Sequence, residues 1–438
     1  MRREPLVVVG AGPKAAALAA WAFAWRETRR TWSSLPELPP IHIYERHPVL
    51  ASSWVGGGYG YSDGTSQELC TPSSRDVIAG ANGPPRLPHP ARAMFMSQLG
   101  RFSYASYCAS HRIHPVRYPS HRQFADYVGD VLIECHRAGA VDVVGLLAVA
   151  GLPAAAAPQV QPHEVTDIEP MAGDLWHVTV GTDAPIAACG VVVTGPGDAA
   201  EPFARQRGSA AVDARYRDGK TYWRDPLPAR IANVQQLLTT FADGSPHVVI
   251  VGAGGAAAAI ALDLIQCFVR ATDAAAQDDD EDAGNALAIT FVAPQAGLFT
   301  RGESTWEDRT LTYDELWQKL SHELRQAAKA QLVTGVVYRR VLARLNRALA
   351  SAALEVEPGK VVWVDDGLDV RTGLRPVTDP LRVIVERSSG AFLTLGARMI
   401  VNAAGFDARW FLGTGPRGVL KRPAPIVALM RHIDLGLA

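Results

Sequence analysis

The stretch Leu6-Val7-Val8-Val9-Gly10-Ala11-Gly12-Pro13-Lys14-Ala15-Ala16 decides the fold class of this chain. A β-branched run comes first, a glycine-containing turn follows, and an alanine-rich helical pattern then continues. This order of strand, tight turn and helix is the one that a dinucleotide pyrophosphate requires. Gly10 permits the sharp turn, and Gly12 lets the backbone approach the phosphates. The helix start at Pro13 and Lys14 offers free N–H groups and a positive dipole end.

The next strand completes the first dinucleotide unit. Ile41-His42-Ile43-Tyr44 predicts a strand, and Glu45 ends it. An acidic residue at this position accepts hydrogen bonds from adenosine ribose hydroxyls, so the unit is predicted to prefer FAD or NAD over a cofactor with a 2′-phosphate. Ala15 or Ala16 replaces the third glycine of the usual fingerprint and is small enough for close helix–strand packing. A glycine turn without a ligand is the alternative interpretation.

A second unit of the same kind lies farther along the chain. His247-Val248-Val249-Ile250-Val251 predicts a strand, and Gly252, Gly254 and Gly255 form the turn before a helical pattern. A further strand is predicted from Ala286 to Val292. Two glycine turns that each follow a strand and begin a helix are more specific than one such turn. The sequence therefore predicts an α/β protein with two Rossmann-like dinucleotide-binding domains.

The second unit differs from the first at the end of its second strand. That strand ends Phe291-Val292-Ala293-Pro294, without an acidic residue, and Arg301 follows shortly after. The missing acid and the nearby guanidinium favour a 2′-phosphate, and hence NADPH over NADH. A solvated surface position is the alternative for Arg301.

The spacing of the two units predicts the domain organisation. At 438 residues the chain is long enough for two or three domains. We expect an FAD domain over residues 1–235, an inserted NADPH domain over 240–396, and completion of the first domain by 397–438. The runs Val191–Gly197 and Met399–Gly405 are each a strand followed by small residues, and we expect them to carry the chain between the domains.

Composition limits the partners of the protein. The formal net charge is −1, so no nucleic acid or anionic membrane is expected as a partner. The five cysteines are scattered and form no CxxC pair, which argues against disulfides, structural zinc and iron–sulfur clusters. Glycines interrupt the N-terminal apolar stretch, and no apolar run reaches bilayer length. We therefore expect a cytoplasmic protein with reduced thiols and no metal site.

A flavin beside a nicotinamide has two broad uses. One passes electrons onward to a disulfide, quinone or iron–sulfur partner, and the other activates oxygen. The missing CxxC pair removes the disulfide branch, so oxygen activation is favoured, while a quinone or small-acceptor reductase stays open. The cofactor supplies the difficult chemistry in either case, and no catalytic side chain is assigned.

Beyond the glycine turns, several stretches resemble the flavin-dependent N-hydroxylating monooxygenases of siderophore biosynthesis, with the greatest likeness to mycobactin-type lysine N6-hydroxylases. These stretches are Gly10-Ala-Gly-Pro-Lys-Ala-Ala-Ala-Leu-Ala-Ala, Tyr44-Glu-Arg, Trp54 with Gly56-Gly57-Gly58, Ser62-Asp-Gly with Thr71-Pro72 and Arg75-Asp76-Val77, Phe102-Ser-Tyr-Ala-Ser-Tyr107, Ser120-His-Arg-Gln-Phe-Ala-Asp-Tyr127, Thr194-Gly-Pro-Gly197 and Gly297-Leu-Phe-Thr-Arg-Gly-Glu303. The last stretch is the most specific, because the fold alone does not demand it.

The resemblance implies a class B flavin monooxygenase-like fold and an activity. The activity is FAD-bound, NADPH-reduced and O2-dependent N-hydroxylation of a side-chain amine in siderophore or other secondary metabolism, by a homo-oligomer. Trp54 looks like the tryptophan that packs near the flavin, and Arg301 lies in the stretch that faces NADPH. Arg75 occupies the place of a lysine that holds the amino-acid substrate and NADPH. Asp308 falls where relatives have an asparagine that contacts the α-amino and carboxylate groups of the substrate.

The chain departs from the pattern of its relatives at both substrate positions. Arginine at 75 keeps the charge but changes reach and geometry. Asp308 adds a negative charge, which repels a free carboxylate and favours a cation. The expected substrate is therefore lysine, ornithine or a related amine, free or carrier-bound. Relatives continue past the equivalent of Ala438 with a segment that closes over the flavin, so a non-catalytic nucleotide-binding homologue remains an alternative, beside an NADPH-dependent oxidoreductase of another acceptor.

Overall fold

The computed structural model describes residues 4–56, 77–78, 87–116, 119–147, 159–171, 173–194, 200–239, 247–275, 287–294, 299–300, 321–324, 336–337, 339–348, 352–367 and 381–405. The chain divides into two compact units. The first is built mainly from Met1–Gly197, and the second from Asp198–Glu303 and His322–Asp407. Each unit contains a parallel sheet and one of the two glycine turns, which confirms the predicted fold class.

The first unit is organised around a four-stranded parallel sheet. Its strands, in spatial order, are β3 (Asp142–Val143), β2 (Ile41–Tyr44), β1 (Leu6–Val9) and β7 (Gly190–Val193). Its helices are α1 (Pro13–Thr31), α2 (Ser52–Val55), α3 (His89–Gly100), α4 (Tyr104–His111) and α5 (His121–Arg137). Alanines 15, 16, 19 and 20 of α1 are fully buried, so the helix can lie close to the neighbouring strands. A small antiparallel sheet of β4 (Val165–Pro170), β5 (Trp176–Val180) and β6 (Ile186–Ala188) completes the unit.

The second unit contains a five-stranded parallel sheet. Its strands, in spatial order, are β14 (Ala352–Pro358), β11 (Leu287–Ala293), β10 (His247–Val251), β18 (Met399–Asn402) and β9 (Tyr216–Asp218). The accompanying helices are α6 (Ala210–Arg215), α7 (Gly219–Arg224), α8 (Leu227–Thr239), α9 (Gly255–Ala275) and α10 (Arg339–Ala348). A further sheet contains β17 (Phe392–Ala397), β16 (Leu381–Glu386), β15 (Lys360–Asp365) and β8 (Ala204–Arg205), and a two-stranded sheet contains β12 (Phe299–Thr300) and β13 (Val336–Val337).

Helix α9 is more apolar than the sequence analysis allowed. Among the described residues, Gly255–Asp273 is long and apolar enough to cross a membrane by length and composition, contrary to the expectation that no such run exists. However, 61% of this segment is buried inside the protein. This is the burial expected of the helix that follows the glycine turn and packs on a parallel sheet.

The boundaries of the two units differ from the expected domains. Residues 198–235 lie in the second unit, because β9 pairs with β18 at the edge of the five-stranded sheet. Residues 397–407 also lie there, because β18 pairs with β10. The run Met399–Gly405 therefore belongs to the sheet of the second glycine turn, whereas Val191–Val193 pairs with β1 in the first. The assignment of one cofactor to each unit stays a proposal.

Candidate functional site

The first glycine turn connects β1 to α1. Gly10 has a φ of 96°, in the region that favours glycine, and its N–H donates to the carbonyl of Tyr44 at 2.8 Å. Gly12 is the N-cap of α1, with Pro13 in the first turn and no side-chain cap. A Cβ added at Gly12 would meet no described atom within 4 Å. The helix start thus borders open space, and Lys14 is exposed beside it. An oxyanion such as a pyrophosphate fits this arrangement.

The sequence predicts that Glu45 accepts hydrogen bonds from ribose hydroxyls, and the structure shows that its carboxylate also binds N–H groups of the backbone. Its side chain is 5% exposed; one carboxylate oxygen accepts the Ala11 N–H at 2.8 Å, and the other accepts the His47 N–H at 3.0 Å. Burial raises the pKa of Glu45, and these backbone hydrogen bonds oppose the shift. The carboxylate therefore holds the middle residue of the glycine turn. The expected ribose contact stays untested.

Ala11 also connects the turn to Trp54. Its carbonyl accepts the N–H of Ala51 at 3.0 Å, and Ala51 accepts the N–H of Trp54 at 2.9 Å. The Trp54 ring makes edge contacts with His121 and Phe124, with ring centroids at 4.9 and 5.5 Å. The tryptophan is partly exposed on an element that hydrogen-bonds directly to the turn. A position beside a flavin is compatible with this placement.

The second glycine turn connects β10 to α9. Gly252 has a φ of 113°, and its N–H donates to Val292 at 2.8 Å. A Cβ at this position would lie 2.6 Å from the carbonyl oxygen of Ala403, so only glycine fits. Gly254 accepts the N–H of Ala258 at 3.0 Å, and α9 begins at Gly255. No acidic side chain lies in the first turn of α9, which leaves the helix start suitable for a phosphate.

Two residues to which the sequence analysis gave no role lie beside these turns. Thr194 follows β7, and its hydroxyl donates to the carbonyls of Val9 at 2.9 Å and Gly10 at 2.8 Å. Asn402 ends β18 and is 2% exposed; its side-chain oxygen accepts the N–H of Ala404 at 3.2 Å. Both are polar residues at the carboxyl end of a strand beside a glycine-turn strand, and this was the available sequence signal.

The predicted site residues fall into three groups. Gly10, Gly12, Pro13, Lys14, Glu45 and Trp54 surround the first turn, and Gly252, Gly254 and Gly255 form the second. Arg75, Arg301 and Asp308 lie outside the described residues. The structure therefore places the glycine-turn residues but does not test the substrate positions.

Three of the four cysteines in the described part of the chain are buried. No three His, Cys, Asp or Glu side chains there are placed to hold a metal ion. The described cysteines are free thiols; Cys108, Cys135 and Cys267 are buried, and Cys189 is exposed. Burial, with Asp263 adding to the effect, raises the pKa of Cys267 to about 12. A thiol of this kind is a poor nucleophile at neutral pH.

Comparison with known proteins places these two turns in context. The chain is similar to the L-lysine N6-monooxygenase MbtG of Mycolicibacterium paratuberculosis, with 26% identity over 423 residues, covering 93% of this chain and 78% of that protein. Its fold is similar to that of the lysine monooxygenase NbtG from Nocardia farcinica, with a TM-score of 0.61, 19% identity and coverage of 99% of this chain and 87% of that chain.

A second solved structure carries both nucleotide cofactors. The ornithine N-hydroxylase KtzI from Kutzneria sp. 744, with reduced FAD, NADP+ and L-ornithine, has a TM-score of 0.55 and 17% identity, covering 97% of this chain and 84% of that chain. No family model matches the chain. The resemblance predicted from the motifs is confirmed: the chain is similar to L-lysine N6-monooxygenases over 93% of its length, and its fold is similar to those of a lysine monooxygenase and an ornithine N-hydroxylase.

Proposed function

We propose that the protein is an FAD- and NADPH-dependent monooxygenase that N-hydroxylates the side-chain amine of lysine, ornithine or a related amine, in siderophore or other secondary-metabolite biosynthesis. The observation that carries this proposal is the pair of glycine turns. Each follows a parallel strand and begins a helix without an acidic residue in its first turn, in a chain similar to L-lysine N6-monooxygenases over 93% of its length.

The first turn is proposed to hold FAD and the second NADPH. The open space at Gly12 and the free N–H groups at the start of α1 suit the FAD pyrophosphate. When bound, the flavin supplies hydride acceptance from NADPH and activation of O2. The protein then has to bind the amine, orient it against the flavin and exclude water. These tasks need no catalytic triad and no metal ion. Lys14 adds a positive charge near the phosphates, and Trp54 packs near the flavin.

The roles of Arg75 and Asp308 are proposed from the resemblance alone, and that of Arg301 also from its position shortly after a strand that ends without an acidic residue. Arg75 would hold a carboxylate or NADPH, and Arg301 would contact the 2′-phosphate of NADPH. Asp308 would face a cation, because it replaces a neutral amide with a negative charge. A diamine or a carrier-bound amino acid, neither of which presents a free carboxylate there, fits Asp308 better than free lysine does.

An amine panel tests the proposal. Purified protein with FAD is supplied with NADPH and lysine, ornithine or a diamine, and the product mass is measured. The expected product is a hydroxylamine one oxygen heavier than the amine, with NADPH oxidation stimulated by that amine. NADPH oxidation that needs only a quinone would instead identify a flavin reductase. Protein that binds no flavin would support a non-catalytic homologue.

Gly12 offers a direct test of the FAD site. A Cβ at Gly12 meets no described atom, and the backbone there is extended, so Gly12→Ala should leave the stability of the apoprotein unchanged. It should nevertheless weaken FAD binding at least about tenfold, because the methyl group projects where the pyrophosphate approaches. Gly100→Ala, also without neighbours within 4 Å, is the control and should leave FAD affinity unchanged. Equal FAD affinity in both variants would place the pyrophosphate elsewhere.

The location and assembly of the protein are also proposals. We propose a cytoplasmic homo-oligomer whose partners are the amine and O2. The free thiols of the described cysteines and the burial of most of α9 support a cytoplasmic location. Light scattering on the purified holoprotein should give a multiple of the 46.9 kDa chain mass.

A further inference from the structure

A charged cavity in the second unit has no part in the proposed function. It has a volume of about 420 Å³. Its lining residues are Arg205, Asp213, Tyr216, Arg217, Asp218, Thr221 and Arg224. They come from β8, α6, β9 and α7, so the sheet edge and two short helices bring three guanidinium groups around one space.

Two of the lining residues hold each other in place. Arg205 donates to the Asp213 carboxylate at 3.2 Å, and its guanidinium lies over the Tyr216 ring, 4.6 Å from the ring centroid. The cation–π contact and the ion pair together fix the plane of the guanidinium. The hydroxyl of the buried Tyr222 in α7 donates to the Asp263 carboxylate at 2.7 Å and anchors that helix. The wall of the cavity is therefore ordered before any ligand arrives.

The other two arginines keep donors available. Arg217 uses one terminal nitrogen to donate to the carbonyls of Ala214 and Tyr216, at 3.0 and 2.8 Å. A guanidinium has five N–H donors, so the rest of Arg217 remains available for another acceptor. Within the described part of the chain, the guanidinium group of Arg224 makes no hydrogen bond or ion pair.

The two acidic residues of the lining do not cancel this charge. Asp213 is paired with Arg205. One carboxylate oxygen of Asp218 accepts the N–H groups of Lys220 and Thr221 and caps α7. The lining thus holds three positive and two negative side chains, and its two carboxylates already have partners. A ligand with its own negative charge would find guanidinium donors rather than competing acceptors.

We propose that this cavity binds a small oxyanion, a phosphate ester or a carboxylate, through Arg217 and Arg224. The site is separate from the nucleotide turn. In a Rossmann unit the adenosine and its 2′-phosphate lie over the second strand, which here is β11. Strand β9 lies on the other side of β10, two strands away, at the edge of the sheet. The proposal goes beyond the proposed function and does not depend on it.

The cavity is connected to the second glycine turn by hydrogen bonds. The Asn402 amide donates to the Tyr216 hydroxyl at 3.2 Å, and its oxygen accepts from Ala404, next to the residue that packs on Gly252. Burial raises the pKa of Tyr216, so the hydroxyl stays protonated at neutral pH and keeps a proton to donate. A bound anion would therefore change the Kd of the nucleotide by a fixed factor, and a bound nucleotide would change the Kd of the anion by the same factor.

Calorimetric titration of the full-length protein tests the site. Inorganic phosphate and citrate are the probes, at fixed ionic strength, and they distinguish a phosphate from a carboxylate preference. Wild-type protein should bind at least one of them, and Arg224→Ala should weaken that binding at least about fivefold, because a charge-assisted bidentate contact is lost. Arg207→Ala is the matched control: it removes the same charge from an exposed position that does not line the cavity, and it should change affinity less than about twofold.

Three outcomes would overturn the proposal. Neither probe binds wild-type protein; the two arginine variants weaken binding equally, which indicates general surface charge; or NADP+ raises the apparent Kd of the anion without limit. The last result would mean direct competition, and the cavity would then be part of the nucleotide site. A shift that levels off as NADP+ saturates supports a separate site that is linked to the nucleotide turn, whereas no effect of NADP+ supports a separate site without that link.

Discussion

The two glycine turns share one hydrogen-bond frame but are held by different means. In both, the N–H of the first glycine donates to the neighbouring strand at 2.8 Å: Gly10 to Tyr44 and Gly252 to Val292. The next residue in that strand is therefore equivalent in the two units. In the first it is Glu45, whose carboxylate binds the turn, and in the second it is Ala293, which has no polar side chain.

The strand on the other side shows the same contrast. Thr194 and Ala403 are equivalent, because their N–H groups donate to the last residue of the glycine-turn strand, at 2.9 and 2.8 Å. The Thr194 hydroxyl makes two further hydrogen bonds to the first turn. The Ala403 carbonyl lies so close to Gly252 that it leaves no room for a Cβ there. The first turn is thus fixed by side-chain hydrogen bonds and the second by backbone packing. Removal of each side-chain hydrogen bond should lower the stability of the first turn by a part. In the second turn, even a methyl group added at Gly252 should be strongly destabilising.

The largest expected effect is at Gly252. Gly252→Ala places a methyl group 2.6 Å from a backbone oxygen and at a φ of 113°. We expect a loss of about 3–5 kcal/mol in the free energy of unfolding, from overpacking and backbone strain combined. Urea denaturation measures this loss, and the KM for NADPH should rise in any folded fraction.

Gly390→Ala separates strain from packing. Gly390 has a φ of 81° and no described neighbour within 4 Å of an added Cβ, so only the backbone term applies. It should cost about 1–2 kcal/mol. Equal losses in the two variants would show that Ala403 does not restrict the second turn, and the contrast with the first turn would disappear.

Removing Glu45 should have the next largest effect. Glu45→Ala leaves the buried N–H group of Ala11 and the partly buried N–H group of His47 without their acceptor, which should lower the free energy of unfolding of the apoprotein by about 2–4 kcal/mol. Exposed Glu164→Ala is the control and should stay within about 0.5 kcal/mol of wild type. If Glu45 served only the FAD ribose, its loss would weaken FAD binding and leave the stability of the apoprotein intact.

Thr194 should show a smaller effect. Thr194→Val keeps the shape of the side chain but removes the hydroxyl that donates to Val9 and Gly10. We expect a loss of about 1 kcal/mol in the free energy of unfolding and a modest rise in the Kd for FAD. Thr166→Val, on the exposed face of β4, should be nearly neutral. A neutral Thr194→Val would indicate that the strand pairing alone positions the first turn.

The smallest expected effect is a pH dependence of the first turn. Burial raises the pKa of Glu45, so between its ordinary and raised values the native state binds more protons than the unfolded state. The stability that protonated Glu45 provides is fully present below the ordinary pKa and is lost as the pH rises through the raised pKa. The free energy of unfolding of wild type relative to Glu45→Gln should therefore fall with rising pH. A constant difference across that range would contradict the burial-induced shift.

Local patterns were sufficient to predict the two dinucleotide units. β-branched runs and glycines set the bounds of β1 and β10 and the starts of α1 and α9. Similarity to L-lysine N6-monooxygenases over 93% of the chain then confirmed the predicted resemblance. These features are encoded within a few consecutive residues, so no pairing partner had to be known.

Features that depend on distant residues were not predictable in the same way. The placement of 397–405 required knowing that β18 pairs with β10 rather than with β1. The role of Glu45 required knowing that its oxygens face the Ala11 and His47 amides. The arginine cavity draws on elements that only the sheet edge brings together. The strand pairing, the Glu45 contacts and the cavity each lack a sequence period or motif that would predict them.

The position of Thr194 also has a consequence for the order in which the protein forms during synthesis. Its hydroxyl donates to the carbonyl of Val9, 185 residues earlier. Beside the second turn, the Ala403 N–H donates to the distant carbonyl of Val251. A nascent chain that ends before Thr194 cannot complete the first glycine turn's hydrogen bonds, and one that ends before Ala403 cannot complete those of the second. Cofactor capture is therefore a late event, and strand pairing across such sequence distances makes it a slow one.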